Sequence, residues 1–271
     1  MSTAVDAGVG DDRRDGSRSG SSEFVQSLER GLSVIQAFSS ERPSMTLSEV
    51  ARATGLTRAT ARRLLFTLCS LGYATSDGKR FSLTAKVLDI GYAYLSSLDL
   101  TSVAQPEMEL LVERTHESCS AAVLDGTEIV YVVRVPTKRI MTISLGLGTR
   151  LPAYAASMGR VLLANLPPEQ LDAHLAQIDL EPLTERTVTN EAVLRAELDQ
   201  VRRQGWALVD QELEEGIRSI AAPLRDGNGR VVAALNVSSH AGRVDLATLR
   251  GEFLPTLLAT AARISERLAR R

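Results

Sequence analysis

Between Leu47 and Phe66 the sequence reads LSEVARATGLTRATARRLLF, and no other stretch restricts the fold of this chain so tightly. Apolar residues recur at three- and four-residue steps on both sides of a Thr54-Gly55-Leu56 corner. That is the period of two short amphipathic helices broken by a glycine. Gly55 permits a sharp, left-handed turn that is costly for other residues. Ala51 provides the small side chain required where two helices approach closely, and Val50, Leu56, Ala61 and Leu64 supply their shared apolar contact. Thr46 or Ser48 can cap the first helix. The second starts near Thr57 and runs to about Leu71, where Gly72 stops it.

This spacing resembles the helix-turn-helix. Projected at about 100° per residue, the second helix turns Ala61, Leu64, Leu65 and Leu68 inward and Ala59, Arg62, Arg63 and Ser70 outward, with Arg58 and Thr60 on the flanks. A recognition helix lays its N-terminal half in the major groove, so Thr57, Arg58, Ala59, Thr60, Arg62 and Arg63 are the candidate base readers. Arginine donates two bonds to guanine, and Thr or Ala meets a thymine methyl. Two short strands follow, near Tyr73–Thr75 and Arg80–Leu83, joined by Ser76-Asp77-Gly78-Lys79, a hairpin turn by its Asp-Gly. Lys79 and Arg80 make it a wing that touches phosphate or the minor groove. Residues 22–86 carry a charge of +4 within a chain of −2; with −1 on residues 1–21, residues 87–271 stand at −5. A basic small domain beside an acidic larger one fits phosphate contact by the former alone. An amphipathic helix pair inside any α-helical core would explain the apolar set, but not the outward arginines and the trailing basic hairpin.

The remaining sequence sets the architecture. Residues 1–22 mix Gly, Ser, Asp and Arg with almost nothing to bury, and read as a disordered tail. Val25, Leu28, Leu32, Ile35 and Phe38 form a helical stripe that Pro43 ends. Thr84 caps a linker helix over about 85–98, and Pro106 opens another helix to about Glu117. Strands are expected at Ser118–Leu124, Ile129–Val135, Met141–Leu145, Trp206–Val209, Ile217–Leu224 and Val231–Ser238. Helices are expected at Ser157–Asn165, Pro168–Gln177, Asn190–Gln204 and after Asp245. Hairpins mixed with helices predict an α+β class with a largely antiparallel sheet. The expected domains are 23–84, a winged helix-turn-helix, and 99–271, joined by the linker.

Several classes are excluded. No apolar run approaches the roughly 18 residues of a membrane span, and the Gly/Ser/Asp-rich start is not a signal peptide. Two cysteines, Cys69 and Cys119, build no disulfide framework, and three scattered histidines offer no structural zinc site. A cytoplasmic protein without metal or cofactor is expected. His116 and Cys119 lie three apart, a spacing that invites a nucleophile–base reading, but they straddle a helix-to-strand boundary. There is no P-loop, GxGxxG or HExxH. Asp210, Glu212, Glu214 and Glu215 form an acidic run that reads mostly as a solvated loop. The functions in competition are an effector-gated regulator, an enzyme with a DNA-binding appendage, and a constitutive DNA binder.

One further segment would attract an acid. Pro152-Ala153-Tyr154-Ala155-Ala156 runs into the helix that starts near Ser157, and Gly159 would let a ligand approach its first turn. Free backbone N–H groups there bind carboxylates, although the same pattern fits a helix that merely begins there. On the strands beside it, Ile217 shares a face with Ser219, and Asn236 with Ser238.

The runs FVQSLERGLSVIQAF, LSEVARATGLTRATARRLL, PAYAASMGRVLLA and GIRSIAAPL together resemble the IclR family of bacterial regulators over residues 24–271. LDIGYAYLSSL, RVPTKRIMTI and LPAYAASMGRVLLANLP are most similar to the branch that governs protocatechuate and β-ketoadipate metabolism. Regulation of another carbon-source pathway by such a protein is the alternative. The resemblance implies a winged helix, a linker helix and a GAF-like effector-binding domain. It also implies a homodimer or dimer of dimers on palindromic double-stranded operator DNA. The implied effector is a small carboxylic acid such as protocatechuate, β-ketoadipate or cis,cis-muconate. Its implied place is between Ser157-Met158, the inward strand positions and Asp210, with Ile140 and Leu151 as apolar wall.

Overall fold

The computed structural model describes residues 24–97, 100–137 and 145–270. The expected tail, the site residue Ile140 and all but Leu145 of the strand expected at 141–145 lie outside them. The chain divides into two compact units, residues 1–93 and 94–271, with the boundary inside one helix.

In the first unit α1 (Gln26–Gln36), α2 (Leu47–Thr54) and α3 (Arg58–Ser70) pack with a three-stranded sheet of β1 (Ser44–Thr46), β2 (Ala74–Ser76) and β3 (Arg80–Leu83) in the order β1-β3-β2. Thr46 caps α2 in a reciprocal box. Its hydroxyl accepts from the Glu49 N–H (3.3 Å), and Glu49 accepts from the Thr46 N–H (2.6 Å). Gly55 stands at φ 66°, the left-handed turn anticipated for the corner. Val34, Met45, Val50, Ala51, Ala61, Leu65, Leu68, Ala74 and Phe81 form the core. No local pattern announces β1. Three residues carry no period, and only pairing with β3 (Met45 opposite Phe81) makes them a strand. A 3₁₀ turn (Ala85–Val87) leads into α4 (Leu88–Ser97).

The second unit is a six-stranded antiparallel sheet in the order β6-β5-β4-β9-β8-β7. Its strands are β4 (Ser118–Asp125), β5 (Glu128–Val135), β6 (Arg150–Pro152), β7 (Ala207–Asp210), β8 (Ile217–Arg225) and β9 (Val231–His240). Helices cover both faces. On one lie α5 (Leu100–Thr115) and the C-terminal helices α9 (Leu246–Thr248) and α10 (Leu254–Ala269), with a π turn at Leu249–Phe253 between the last two. These bury Leu111, Leu257 and Ile264 against Cys119, Ile220 and Leu235. On the other face α6 (Ser157–Ala164), α7 (Pro168–Leu175) and α8 (Glu191–Gln204) pack on Tyr131, Ala221 and Ala234. The period of two along β8 and β9 produces this sorting. Ile220, Ala222, Leu235 and Val237 face α5 and α10, whereas Ala221 and Ala234 face α6.

One expected helix start needs correction. Pro106 does not open its helix, because α5 begins at Leu100 and runs through it. Proline removes one ladder bond and crowds the preceding turn, but burial of Leu100, Val103 and Ala104 holds the residues before it helical. The sheet also carries β6 at Arg150–Pro152, not expected from the sequence, where Ile129 pairs with Leu151.

Candidate functional site

The first unit presents a cationic helix face. Thr57 caps α3, its hydroxyl accepting from the Thr60 N–H at 3.2 Å, and this fixes where the helix starts. With Ala61, Leu65 and Leu68 buried, the helical period turns Arg58, Ala59, Arg62 and Arg63 to solvent, and leaves Thr60 half-buried. Phe66 is also exposed, an outward aromatic the periodicity did not explain. The Arg62 guanidinium lies 5.5 Å above its ring, and Phe81 packs edge-on against it at 6.2 Å. The ring thus steadies Arg62 from one turn away.

The hairpin turn is built by Asp77, whose Oδ1 accepts from the N–H groups of Lys79 (2.8 Å) and Arg80 (2.7 Å). These bonds hold its carboxyl below the usual carboxylate range. Lys79 is exposed at the tip. Arg80 is not a free wing cation. Its Nε donates to Ser44 Oγ at 3.0 Å, its guanidinium donates to the Ser44 carbonyl, and Glu49 stands 3.4 Å away. Arg80 ties the wing to β1 and the start of α2.

In the second unit a cavity of about 350 Å³ opens between α6 and the sheet. Its walls include Leu151 of β6, Tyr131 of β5, Ser157 and Met158 of α6, Val209 of β7, Ile217 and Ser219 of β8, and Asn236 and Ser238 of β9, with Leu145, Leu213 and Glu214. The alternation of β8 and β9 brings Ser219 and Ser238 side by side in register. The Ser219 hydroxyl donates to Ser157 Oγ at 2.8 Å, which joins the sheet to the first residue of α6. Asn236 Oδ1 accepts from the Ser120 N–H at 3.1 Å, so its amide NH₂ is the group left to donate. Among the described residues no side chain caps α6 at Ala156, and the N–H groups of a helix's first turn have no partner within the helix. Burial pushes the Tyr131 hydroxyl up to about 12 against the opposing pull of Arg134, which keeps it a neutral donor.

Ten residues were expected at this site. Leu151, Ser157, Met158, Ile217, Ser219, Asn236 and Ser238 line the cavity. Gly159 does not. A Cβ there would stand 2.0 Å from the Ala153 carbonyl oxygen, so this glycine serves the close approach of the preceding 3₁₀ turn rather than of a ligand. Asp210 is likewise absent from the walls, because Arg218 (2.8 Å) and Arg186 (2.9 Å) hold it in ion pairs. Its neighbour Val209 faces the cavity instead, as the period of two requires. Ile140 lies outside the described residues.

The acidic run is not a solvated loop. Glu212 takes Arg160, only 2% exposed, in a two-pronged bond, and Arg160 also bonds Glu197 and the Tyr154 carbonyl. Burial raises the Glu212 carboxyl despite this arginine. Glu214 lines the cavity. The sequence signal for both was present, as alternating acids before Gly216, but nothing in it showed which way they turn. Cys119 sits fully buried in the α5/α10 core while His116 is exposed, so the pair assembles no nucleophile.

A winged helix with an arginine-bearing second helix, in one chain with a sheet domain enclosing a ligand-sized cavity, defines a ligand-responsive DNA-binding regulator. Comparison with known proteins carries this to a family. The IclR helix-turn-helix domain matches residues 27–78, and the bacterial transcriptional regulator IclR C-terminal domain matches residues 92–266. The Pca regulon regulatory protein of Pseudomonas putida is 46% identical over 92% of this chain and 86% of its own length. The p-hydroxybenzoate hydroxylase transcriptional activator of Acinetobacter baylyi is 38% identical over 88% of this chain and 90% of its own. A crystal structure of an IclR homologue complexed with 4-hydroxybenzoate, from Microbacterium hydrocarbonoxydans, superposes with a TM-score of 0.81 at 26% identity, covering 90% of this chain and all of that one. The chain belongs to the IclR family of transcription regulators, and is not an enzyme. No helix among the described residues is long and apolar enough to cross a membrane.

Proposed function

We propose that this protein regulates genes of aromatic-acid catabolism, as a homodimer or dimer of dimers whose operator affinity answers to a small carboxylic acid held between α6 and the sheet. The cavity carries the reading. At about 350 Å³ it stands at the small end of the roughly 300–1,000 Å³ typical of ligand sites. Its uncapped helix start offers backbone N–H groups to a carboxylate, and Ser219, Asn236 and Ser238 offer hydrogen bonds inside otherwise apolar walls. The printed functions of the Pseudomonas and Acinetobacter relatives, and the 4-hydroxybenzoate in the Microbacterium structure, support an aromatic acid. Protocatechuate, β-ketoadipate and cis,cis-muconate are the first to try. Calorimetry on the full chain should detect the acid, and Ser219→Leu should abolish that heat by filling the cavity while operator binding persists. Equal affinity in both proteins would place the site elsewhere.

Thr57, Arg58, Ala59, Thr60, Arg62 and Arg63 read bases, and Lys79 meets phosphate. One winged helix reads only a few base pairs, so selective binding calls for two copies. The surface agrees. Val25 at the N-cap of α1 and Leu28 and Leu32 on it form an exposed apolar stripe, 43–63% accessible, and Leu88 and Tyr92 of α4 are 72% and 70% accessible. A second copy of the chain is the partner that would cover them. A monomer by light scattering at micromolar concentration, unchanged by operator DNA, would overturn this assembly.

A further inference from the structure

The only ionisable acid or base of Asp, Glu, Lys, Arg or His type on the described cavity wall is an acid, Glu214. Its Oε2 is buried and, among the described residues, has no hydrogen-bond partner. The neighbouring arginines are engaged elsewhere, Arg134 donating to Ser120 Oγ at 3.5 Å and the others pairing with other carboxylates. Arg218 pairs with Asp210, Arg160 with Glu212 and Glu197, and Arg150 with Asp125 and Glu128. A buried acceptor without a donor is costly, and a ligand that brings the donor recovers that cost on binding.

We propose that Glu214 is a specificity-determining residue, one that accepts a hydrogen bond from a hydroxyl of the effector and excludes a second carboxylate. This rests on the acid-binding reading of the cavity above. The cavity then has two chemically opposite ends. The start of α6 offers N–H donors and positive helix-dipole character to one carboxylate. Glu214 is acceptor-only when ionised and demands a donor. A phenolic hydroxyl, with an unperturbed pKa of about 10, still carries its proton at pH 7 and supplies one. A dicarboxylate is disfavoured, because its second carboxylate would meet the like charge of Glu214. The selected class is therefore the hydroxylated aromatic monoacid, in preference to open-chain diacids such as β-ketoadipate and cis,cis-muconate.

The test is a ligand series on the full chain by calorimetry, using benzoate, 4-hydroxybenzoate, 3,4-dihydroxybenzoate and terephthalate. The unsubstituted protein should bind the better hydroxylated acid roughly ten- to a hundredfold more tightly than benzoate, the value of a hydrogen bond to a charged group, and should reject terephthalate. Glu214→Ala should bring the hydroxylated-to-benzoate ratio close to one, and Glu214→Gln should admit terephthalate. The series on the unsubstituted protein needs no variant to fold. Equal binding of benzoate and both hydroxylated acids, or tight binding of terephthalate, would overturn the role of Glu214 and leave the acid cavity standing. If none of the four acids bound, this inference would fall, and the acid-binding reading would fall with it only if β-ketoadipate and cis,cis-muconate also failed to bind.

Discussion

Arg62 and Arg80 look alike in the sequence, two cations in one basic stretch, but the structure gives them different work. Arg62 is exposed on the outer face of α3 and steadied by Phe66. Arg62→Ala and Arg63→Ala should each cost about 1–3 kcal/mol on the operator and relax preference at one base position; gel shifts showing both variants binding operator normally would remove α3 from the groove. Arg80 is bonded to Ser44 and paired with Glu49. Arg80→Ala should therefore lower the melting temperature as well as the affinity, whereas Lys79→Ala should flatten the salt dependence by about one counterion with the melting temperature unmoved. Gly159 offers a sharper contrast between roles. A ligand-approach role predicts that Gly159→Ala harms only effector binding. The Ala153 carbonyl in the path of its Cβ predicts a loss of about 1–3 kcal/mol or more of stability, with or without effector, readable in a denaturant melt.

At the scale of the element, the wing is a hairpin whose geometry depends on one carboxylate. Asp77 bonds two successive backbone N–H groups, which lowers its carboxyl below the ordinary 3.8, as Thr46 lowers Glu49 below 4.5 at the start of α2. A depressed folded-state pKa contributes stability that is whole above the unfolded value and lost as pH falls through the folded one. The first unit should therefore weaken as pH drops below about 4.5, and Asp77→Asn together with Glu49→Gln should flatten that acid limb. Identical acid limbs in the double variant and the unsubstituted protein would show that these turns do not govern it. The start of α3 rests on an uncharged cap, and Thr57→Ala should cost about 1 kcal/mol without changing the salt dependence of operator binding. Elements of this kind were readable because capping and turn chemistry act within four residues. β1 and the first turn of α5 were not, since a distant strand makes the one and burial of Leu100 and Val103 overrides Pro106 in the other.

For the whole molecule, the proposed function requires that occupation of the cavity alter how two DNA-binding units meet their half-sites. An effector can do this only if it prefers one arrangement of them, and a coupling of about 1–3 kcal/mol is a useful switch. Operator titrations with and without saturating acid should differ by roughly 5- to 150-fold; identical curves beside proven binding would make the acid a mere passenger. If the apolar stripes of α1 and α4 meet a second copy, folding and assembly are linked, and the apparent melting temperature should rise with protein concentration. A concentration-independent value would argue against that interface.

The sequence by itself determined what local physics controls. The capped helix pair around Gly55, the Asp-Gly wing, the helix starts at Ser157 and Asn190, and the alternation that turns Ser219, Asn236 and Ser238 to one side all follow from interactions within a few residues. The partners of charges belong to the tertiary structure. Whether Asp210, Glu212 or Glu214 meets an arginine, water or a ligand depends on which strand and helix lie opposite. Arg218 took the first and Arg160 the second, and Glu214 alone was left facing the cavity. A carboxylate's Coulomb energy is set by distance and burial, neither of which a linear spacing contains.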